Sequence, residues 1–99
     1  MQRGATPTHT FTLPFSTEII QDVSIVYSQN DKVVLRKQIC DCNIEANQLS
    51  LRLTQEETLV FNENYPVEIQ VKVLTMGNDV LVSVPYKARV DKCLCEVVL

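Results

Sequence analysis

The segment from residue 65 to residue 91 alternates between apolar and polar side chains over two long runs. The apolar positions are Val67, Ile69, Val71 and Val73 in the first run and Val80, Val82, Val84, Tyr86, Ala88 and Val90 in the second. Between the runs lies Met76-Gly77-Asn78-Asp79, a short link with turn chemistry. Only a β-strand places every second side chain on one face. The segment therefore predicts a β-hairpin with one face to bury.

Three further segments alternate in the same way. Threonines alternate with Phe11 and Leu13 in residues 6–13, and Val23, Ile25 and Tyr27 share one face of residues 21–28. In residues 49–53 the leucines face inward and the polar residues outward. With the hairpin and the strand described next, these segments predict about six to eight strands in a single antiparallel β-sandwich that spans residues 1–99.

A third strand is expected from Val33 to Ile44, but its apolar positions change parity. Val33, Leu35 and Ile39 are odd-numbered, whereas Cys40, Cys42 and Ile44 are even-numbered. A shift by one residue is typical of a β-bulge or of a kink between two segments. Pro85 falls within the last run and cannot donate a hydrogen bond, so that strand should lie at an edge or bulge there.

Thr54-Gln55-Glu56-Glu57 has the spacing of a capping box and predicts one short helical turn near residues 55–59. The longer segment Leu53–Phe61 resembles the corner that precedes a late strand in immunoglobulin domains, which makes the predicted sandwich immunoglobulin-like. Phe61 stands where that corner has its tyrosine, so the hydroxyl-to-backbone hydrogen bond of the corner cannot form.

Composition excludes several classes of protein. The net charge is −3, and the nine lysines and arginines are scattered among twelve acidic residues. A nucleic-acid partner is not expected, because such proteins carry a basic patch. The sequence has no apolar run long enough for a membrane span and no apolar segment after its first residues that would serve as a secretory signal. We therefore expect synthesis inside the cell, where cysteines stay reduced.

The four cysteines form two C-x-C pairs, Cys40 with Cys42 and Cys93 with Cys95. Two such strands side by side could offer four thiolates to a structural zinc ion, although zinc knuckles place two to four residues between paired ligands. The simpler interpretation makes Cys40 and Cys42 small apolar residues that continue the inward face toward Ile44. A disulfide between the tail and the third strand is a further alternative.

His9 is the only histidine and shares a face with Phe11 and Leu13. A catalytic histidine needs a nucleophile and an orienting carboxylate, and nothing in the spacing selects either. We expect a half-exposed or hydrogen-bonded histidine on an early strand; a small hydrolase that uses His9 is the alternative. The acidic residues suggest no paired carboxylates, and the two glycines form no phosphate-binding loop. The sequence thus predicts no enzyme and no cofactor.

Two stretches of the sequence resemble phage proteins. They are Arg3-Gly4-Ala5-Thr6-Pro7-Thr8-His9-Thr10-Phe11-Thr12-Leu13-Pro14-Phe15, and Val23-Ser24-Ile25-Val26-Tyr27-Ser28-Gln29 followed by Lys32-Val33-Val34-Leu35. The pattern resembles small proteins encoded by prophages of Gram-positive bacteria and, more distantly, the N-terminal β-sandwich domain of phage upper baseplate proteins. The likeness covers residues 3–61 and includes no catalytic residue.

The resemblance implies a non-enzymatic structural or adaptor module of a phage tail or baseplate. Its partners would be other virion or assembly proteins or further copies of itself, and it would pass from the host bacterial cytoplasm into the virion. Exposed strand edges and an apolar tail would make the contacts. The candidate interface residues are Thr8, Thr10, Thr12, Val97, Val98 and Leu99. The alternatives are a binding domain with zinc on Cys40, Cys42, Cys93 and Cys95, or another bacterial β-sandwich interaction domain.

Overall fold

The computed structural model describes residues 1–83, 85–91 and 98 as two antiparallel sheets that pack face to face. The strands are β1 (Thr8–Thr12), β2 (Ile20–Gln29), β3 (Lys32–Gln38), β4 (Asn43–Glu45), β5 (Gln48–Arg52), β6 (Val67–Thr75), β7 (Val80–Val82) and β8 (Tyr86–Ala88). One sheet has the order β1-β5-β4. The other has the order β3-β2-β6-β7, and β8 also pairs with β6. The predicted all-β sandwich is confirmed.

The order of the strands matches the immunoglobulin arrangement except at one place. In immunoglobulin domains the second strand lies in the sheet of the first, fourth and fifth strands. Here β2 lies in the opposite sheet, between β3 and β6. The first strand, β1, therefore pairs with β5 alone among the described strands, and its other edge is left open.

The core lies between the sheets and is built from the predicted inward positions. Val67, Ile69, Val71 and Val73 of β6 are all at most 5% exposed. The largest fully buried side chains are Tyr27, Phe61, Ile25, Leu49, Leu51, Leu53, Val23 and Val67. The alternation of β1, β2, β5 and β6 therefore gave the correct inward face for each of these strands.

The predicted third strand is two strands in different sheets. After Gln38, a 3₁₀ turn over Ile39–Asp41 leads to β4, which pairs with β5. The predicted kink is confirmed, and Leu35, Ile39 and Cys42 pack against the core, but the predicted inward positions of Val33 and Ile44 are wrong. Val33 is 66% exposed, because a register shift after Tyr27 places it opposite Ser28 on the outer face. Ile44 is 41% exposed on the short edge strand β4.

The predicted hairpin is present, with its second strand divided into β7 and β8. Opposite residues of an antiparallel pair share a face. Val82 lies opposite Lys72 and is 55% exposed, whereas Ala88 lies opposite the buried Val67. The inward parity therefore changes between β7 and β8, and the predicted inward position of Val82 is wrong; that of Val80 is wrong for the same reason. Pro85 lies at this interruption, as its missing donor predicted.

The helix α1 (Gln55–Leu59) begins with the predicted capping box. The Thr54 side chain accepts a hydrogen bond from the Glu57 amide, and the Glu57 carboxylate accepts one from the Thr54 amide. Lys37 of β3 forms an ion pair with Glu57. Burial would raise the pKa of the Glu57 carboxyl, but the hydrogen bonds from Lys37 and Thr54 outweigh it, and the pKa is lowered. This pair holds the short helix against the edge of the larger sheet.

Two buried polar side chains fix the loops around the core. The hydroxyl of Thr58 accepts a hydrogen bond from the Gly4 amide at 3.0 Å and donates toward the Ala5 carbonyl at 2.9 Å. The amide of Gln29 spans the turn after α1, donating to the Asn62 carbonyl at 2.7 Å and accepting from the Asn62 amide at 2.9 Å. These contacts satisfy loop groups that would be costly to bury without partners. No helix in the described part of the chain is long and apolar enough to cross a membrane.

Candidate functional site

The edge of β1 that faces away from β5, called the free edge here, carries three of the predicted interface residues. Thr8, Thr10 and Thr12 are exposed, and each lies opposite a residue of β5. The ladder continues on both sides of β1, where the Leu53 amide donates to the Pro7 carbonyl at 3.0 Å and the Leu13 amide donates to the Asn47 carbonyl at 2.7 Å. Odd-numbered residues of β1 therefore make the hydrogen bonds to β5.

Hydrogen-bonded and non-hydrogen-bonded pairs alternate along an antiparallel ladder. Since the odd-numbered residues bond to β5, Thr8, Thr10 and Thr12 direct their backbone N–H and C=O groups away from it, toward the free edge. No other strand in the described ranges pairs with β1 on that side. Unpaired backbone groups of this kind form a template for another strand.

The strand β3 forms one edge of the larger, five-stranded sheet, and this edge is protected by charge. It carries Lys32, Arg36 and Lys37 within seven residues. Lys37 lies opposite the buried Ile25 and pairs with Glu57, so its charge points inward from an edge strand. Edge lysines and inward-pointing charges discourage pairing with another chain.

The other two margins are short or interrupted. The edge strand β4 has three residues, one of them Glu45. The margin formed by β7 and β8 is interrupted around Ser83 and Pro85, and beyond β8 the first three residues of the chain cover Asp91. There the Arg3 amide donates to the Asp91 carbonyl at 3.1 Å. Within the described part of the chain, β1 is thus the one edge that has neither charge nor interruption.

An apolar groove of about 250 Å³ opens beside the free edge of β1. Its walls include Phe11, Leu13 and Phe15 from the β1 side and Val71, Leu81 and Tyr86 from the larger sheet. The rings of Phe11 and Tyr86 meet across the two sheets with centroids 5.9 Å apart. Although Leu81 and Tyr86 lie on the inner face, opposite Val73 and Ile69, they are 42% and 50% exposed. The sandwich is therefore open at this margin.

Sequence reasoning did not identify this groove, because it assigned the wrong parity to β7. The alternation placed Val80 and Val82 inward, but the inner-face residue of β7 is Leu81; Tyr86 of β8 lies on the inner face, as the alternation predicted. Ser83 occupies the interruption: its amide donates to the Val71 carbonyl, and its hydroxyl accepts from the Val71 amide at 3.0 Å. Pro85 was the only signal in the sequence for this change.

The tail candidates are only partly placed. Val98 is 44% exposed and lines a surface depression with Thr6, just before β1, and with Arg52 at the end of β5. Val97 and Leu99 lie outside the described residues. The structure thus brings Val98 to the same end of the β1–β5 pair as Thr8, which lies opposite Arg52.

The prediction that Cys40 and Cys42 continue an inward face is wrong for Cys40, which is exposed. Cys42 is half-buried, packs against the core and directs its thiol toward the Gln38 carbonyl at 3.5 Å. Burial and then the neighbouring Asp41 raise the pKa of the Cys42 thiol, which lowers its reactivity. Cys93 and Cys95, the other half of the predicted zinc set, lie outside the described residues. Among the described residues, no three His, Cys, Asp or Glu side chains group closely enough to hold a metal ion.

His9 is half-buried and hydrogen-bonded, as expected for a histidine on an early strand. Its Nδ1 lies 2.7 Å from the hydroxyl of the fully buried Tyr27. Burial lowers the pKa of His9, and the positive charge of the amino terminus lowers it further. Burial also raises the pKa of Tyr27, followed by the effects of Cys42 and Glu57. The pair is therefore neutral near pH 7, with the phenol donating to the imidazole.

Comparison with known proteins found no match to this chain among family models, curated proteins or solved structures.

Proposed function

We propose that this domain is a non-enzymatic adaptor that docks other proteins through the free edge of β1 and the groove beside it. The observation that carries the proposal is the unprotected edge: Thr8, Thr10 and Thr12 direct outward backbone groups that no other described strand pairs with. The other margins of both sheets are charged, short or interrupted. A protein that only needed to remain monomeric would gain nothing from leaving this one edge unprotected.

Docking at such an edge uses the chemistry of strand addition. A partner segment in extended conformation makes backbone hydrogen bonds to the edge, and its alternate side chains enter adjacent pockets. The groove supplies apolar walls for those side chains, with Phe11 and Leu13 on one side and Leu81 on the other. Affinity then comes from the backbone hydrogen bonds, and selectivity comes from the groove.

We further propose that the partners are virion or assembly proteins of a phage tail or baseplate. The support is the resemblance of residues 3–61 to small prophage-encoded proteins and to the N-terminal sandwich of upper baseplate proteins. The segment that carries this likeness includes all of β1. On this proposal the chain is made in the host bacterial cytoplasm and then enters the particle.

The test is incorporation into particles. Prophages are induced in cells that express the chain, the particles are purified, and quantitative mass spectrometry measures the chain relative to the major tail proteins. The proposal predicts a fixed stoichiometry; absence of the chain from purified particles would contradict a virion role.

The role of the edge is tested in the same assay with Thr10→Pro. Proline removes the outward N–H of residue 10 and leaves the bonds to β5 intact, and edge strands tolerate it. Thr10→Val is the matched control, because it changes the side chain and keeps the N–H. We expect the proline variant to be lost from particles and the valine variant to be retained. Equal incorporation of both variants, with unchanged circular dichroism, would show that docking does not use this edge.

A further inference from the structure

We infer that the free edge of β1 also accepts a second copy of itself, in antiparallel pairing about a twofold axis at Thr10. The two three-stranded sheets would then form one continuous sheet across the axis. The inference rests on the same edge as the proposed function and names a particular occupant for it. It follows from three properties of β1: its backbone pattern, its symmetry and its lack of charge.

The backbone pattern of β1 is compatible with its own copy. Pairing about Thr10 places Thr8 opposite Thr12 of the second copy and Thr10 opposite Thr10. These three residues direct their N–H and C=O groups toward the free edge. Each facing pair can therefore exchange both backbone hydrogen bonds. A register shifted by one residue would instead face the outward groups with odd-numbered residues, whose backbone groups already bond to β5.

The side chains are also self-complementary. The strand reads Thr-His-Thr-Phe-Thr, so threonine meets threonine at all three outer positions. Threonine pairs across strands stabilise a sheet. On the inner face, His9 lies opposite Phe11 of the second copy, next to the groove. A twofold contact requires this kind of self-complementarity, because one patch must serve as both partners.

The absence of charge permits a second copy to pair at β1, whereas the cations of β3 oppose pairing there. No charged residue occurs from residue 4 to residue 17, so two copies of β1 meet without like-charge repulsion. Two copies of β3 would bring Lys32, Arg36 and Lys37 close to the same three cations. Like-charge repulsion therefore opposes self-pairing at β3 and does not oppose it at β1.

Proline limits the length of the contact. The next facing pair beyond Thr8 and Thr12 is Thr6 with Pro14 of the second copy, and Pro14 lacks the outward backbone donor, so pairing cannot extend far beyond Thr8–Thr12. A five-residue strand spans about 17 Å. An edge of that length contributes less than the roughly 800 Å² per partner of a standard interface, even with the groove beside it. We expect a weak and reversible dimer.

The first experiment is sedimentation velocity of the purified chain from micromolar to millimolar concentration, combined with amide hydrogen exchange by NMR. We expect a reversible shift from monomer to dimer. With that shift, the amides of Thr8, Thr10 and Thr12 should gain protection, while those of His9 and Phe11 are already protected in the monomer. A chain that stays monomeric throughout, or a dimer without this alternating protection, would overturn the inference.

The second experiment compares Thr10→Lys with Asn43→Lys. Thr10→Lys places two lysines together on the twofold axis. Asn43→Lys adds the same charge to the opposite edge strand of the same sheet, opposite the same Ser50. We expect Thr10→Lys to weaken dimerisation by about tenfold or more and Asn43→Lys to leave it nearly unchanged. Equal weakening by the two variants would overturn the inference.

Failure of this inference is distinguishable from failure of the proposed function. If Thr10→Pro abolishes incorporation into particles while the purified chain remains monomeric, the edge accepts a foreign strand and the self-pairing is wrong. The exchange pattern uses the unmodified chain, so it remains informative even if a variant fails to fold.

Discussion

The hydrogen bond between His9 and Tyr27 joins the two sheets, and it forms only while the imidazole is neutral. The buried phenol needs an acceptor, and neutral imidazole at 2.7 Å supplies one. A protonated imidazole offers only donors, and the phenol hydrogen loses its partner. Burial disfavours the charged imidazolium as well and lowers the pKa of His9.

The lowered pKa of His9 predicts loss of stability on acidification. The ordinary value of 6.5 applies to the unfolded chain, which takes up the proton before the folded chain does. The contribution of His9 is therefore complete above pH 6.5 and decreases as the pH falls below it. Urea unfolding measured from pH 7.5 to pH 5 should show this decrease.

The matched variant for this measurement is His9→Gln. Glutamine offers an acceptor to Tyr27 but does not titrate, so the free energy of unfolding should change less over the same range. His9 is the only histidine in the chain, and unperturbed carboxyl groups titrate below this range, near pH 4. The same pH dependence in both proteins would show that His9 is not its source.

At the scale of single elements, the change of inward parity between β7 and β8 makes a sharp prediction. Val71 is 3% exposed on β6, and Val82 is 55% exposed on β7, although simple alternation gives both residues the same role. Val71→Ala should lower the free energy of unfolding by about 2 kcal/mol, since it removes buried methyl groups and leaves a cavity.

Val82→Ala is the partner measurement and should stay within about 0.5 kcal/mol of the parent, as exposed substitutions usually do. Both changes remove the same atoms from a valine on the same hairpin. The difference between their free energies of unfolding, measured by chemical denaturation, therefore reports the difference between a buried and an exposed position. Comparable losses for the two variants would mean that β7 presents Val82 to the core after all.

Elements that depend on local chemistry could be predicted from the sequence. The capping box at Thr54 and Glu57 acts within four residues, and the helix begins where it predicts. The turn after β2 has positive φ at Asn30 and Asp31, the residue types that tolerate this conformation. The alternation of β6 likewise gave the correct buried face.

Elements that depend on distant contacts could not be predicted. Periodicity cannot show that residues 33–44 change sheets, because alternation along a segment does not reveal which sheet the segment joins. Nor does periodicity show where a strand is interrupted and its inward parity changes, as happens at Ser83 and Pro85 between β7 and β8. For the candidate site, the sequence identified the threonines of β1 and placed Tyr86 on the inner face, but it missed Leu81. It also could not show that Leu81 and Tyr86 are exposed, because their exposure depends on the open margin between the sheets.

At the scale of the whole molecule, Arg3 connects the beginning of the chain to its later parts. Its amide donates to the Asp91 carbonyl, and its guanidinium donates to the Leu59 carbonyl at 2.9 Å and approaches Glu63 at 3.4 Å. The Arg3 side chain is only 15% exposed, so water cannot easily replace these contacts.

Arg3→Ala should lower the free energy of unfolding by about 1.5–3 kcal/mol, the range for hydrogen bonds to charged groups. Arg36→Ala, which removes an exposed arginine from β3, should have little effect. Thermal unfolding followed by circular dichroism compares the two. A loss of stability for Arg36→Ala as large as that for Arg3→Ala would point to net charge rather than to these contacts.

The distribution of protection over the margins of the sandwich sets how many neighbours it can acquire by strand pairing. In the described part of the chain three margins are charged, short or interrupted and one is exposed, so the proposed docking gives the domain a valence of one in this mode of association. Whichever strand binds there, it occupies the one unprotected edge among the described strands and leaves no equivalent edge for the next molecule. Growth by this route therefore stops after a single addition, so the domain can join an assembly without starting a fibre.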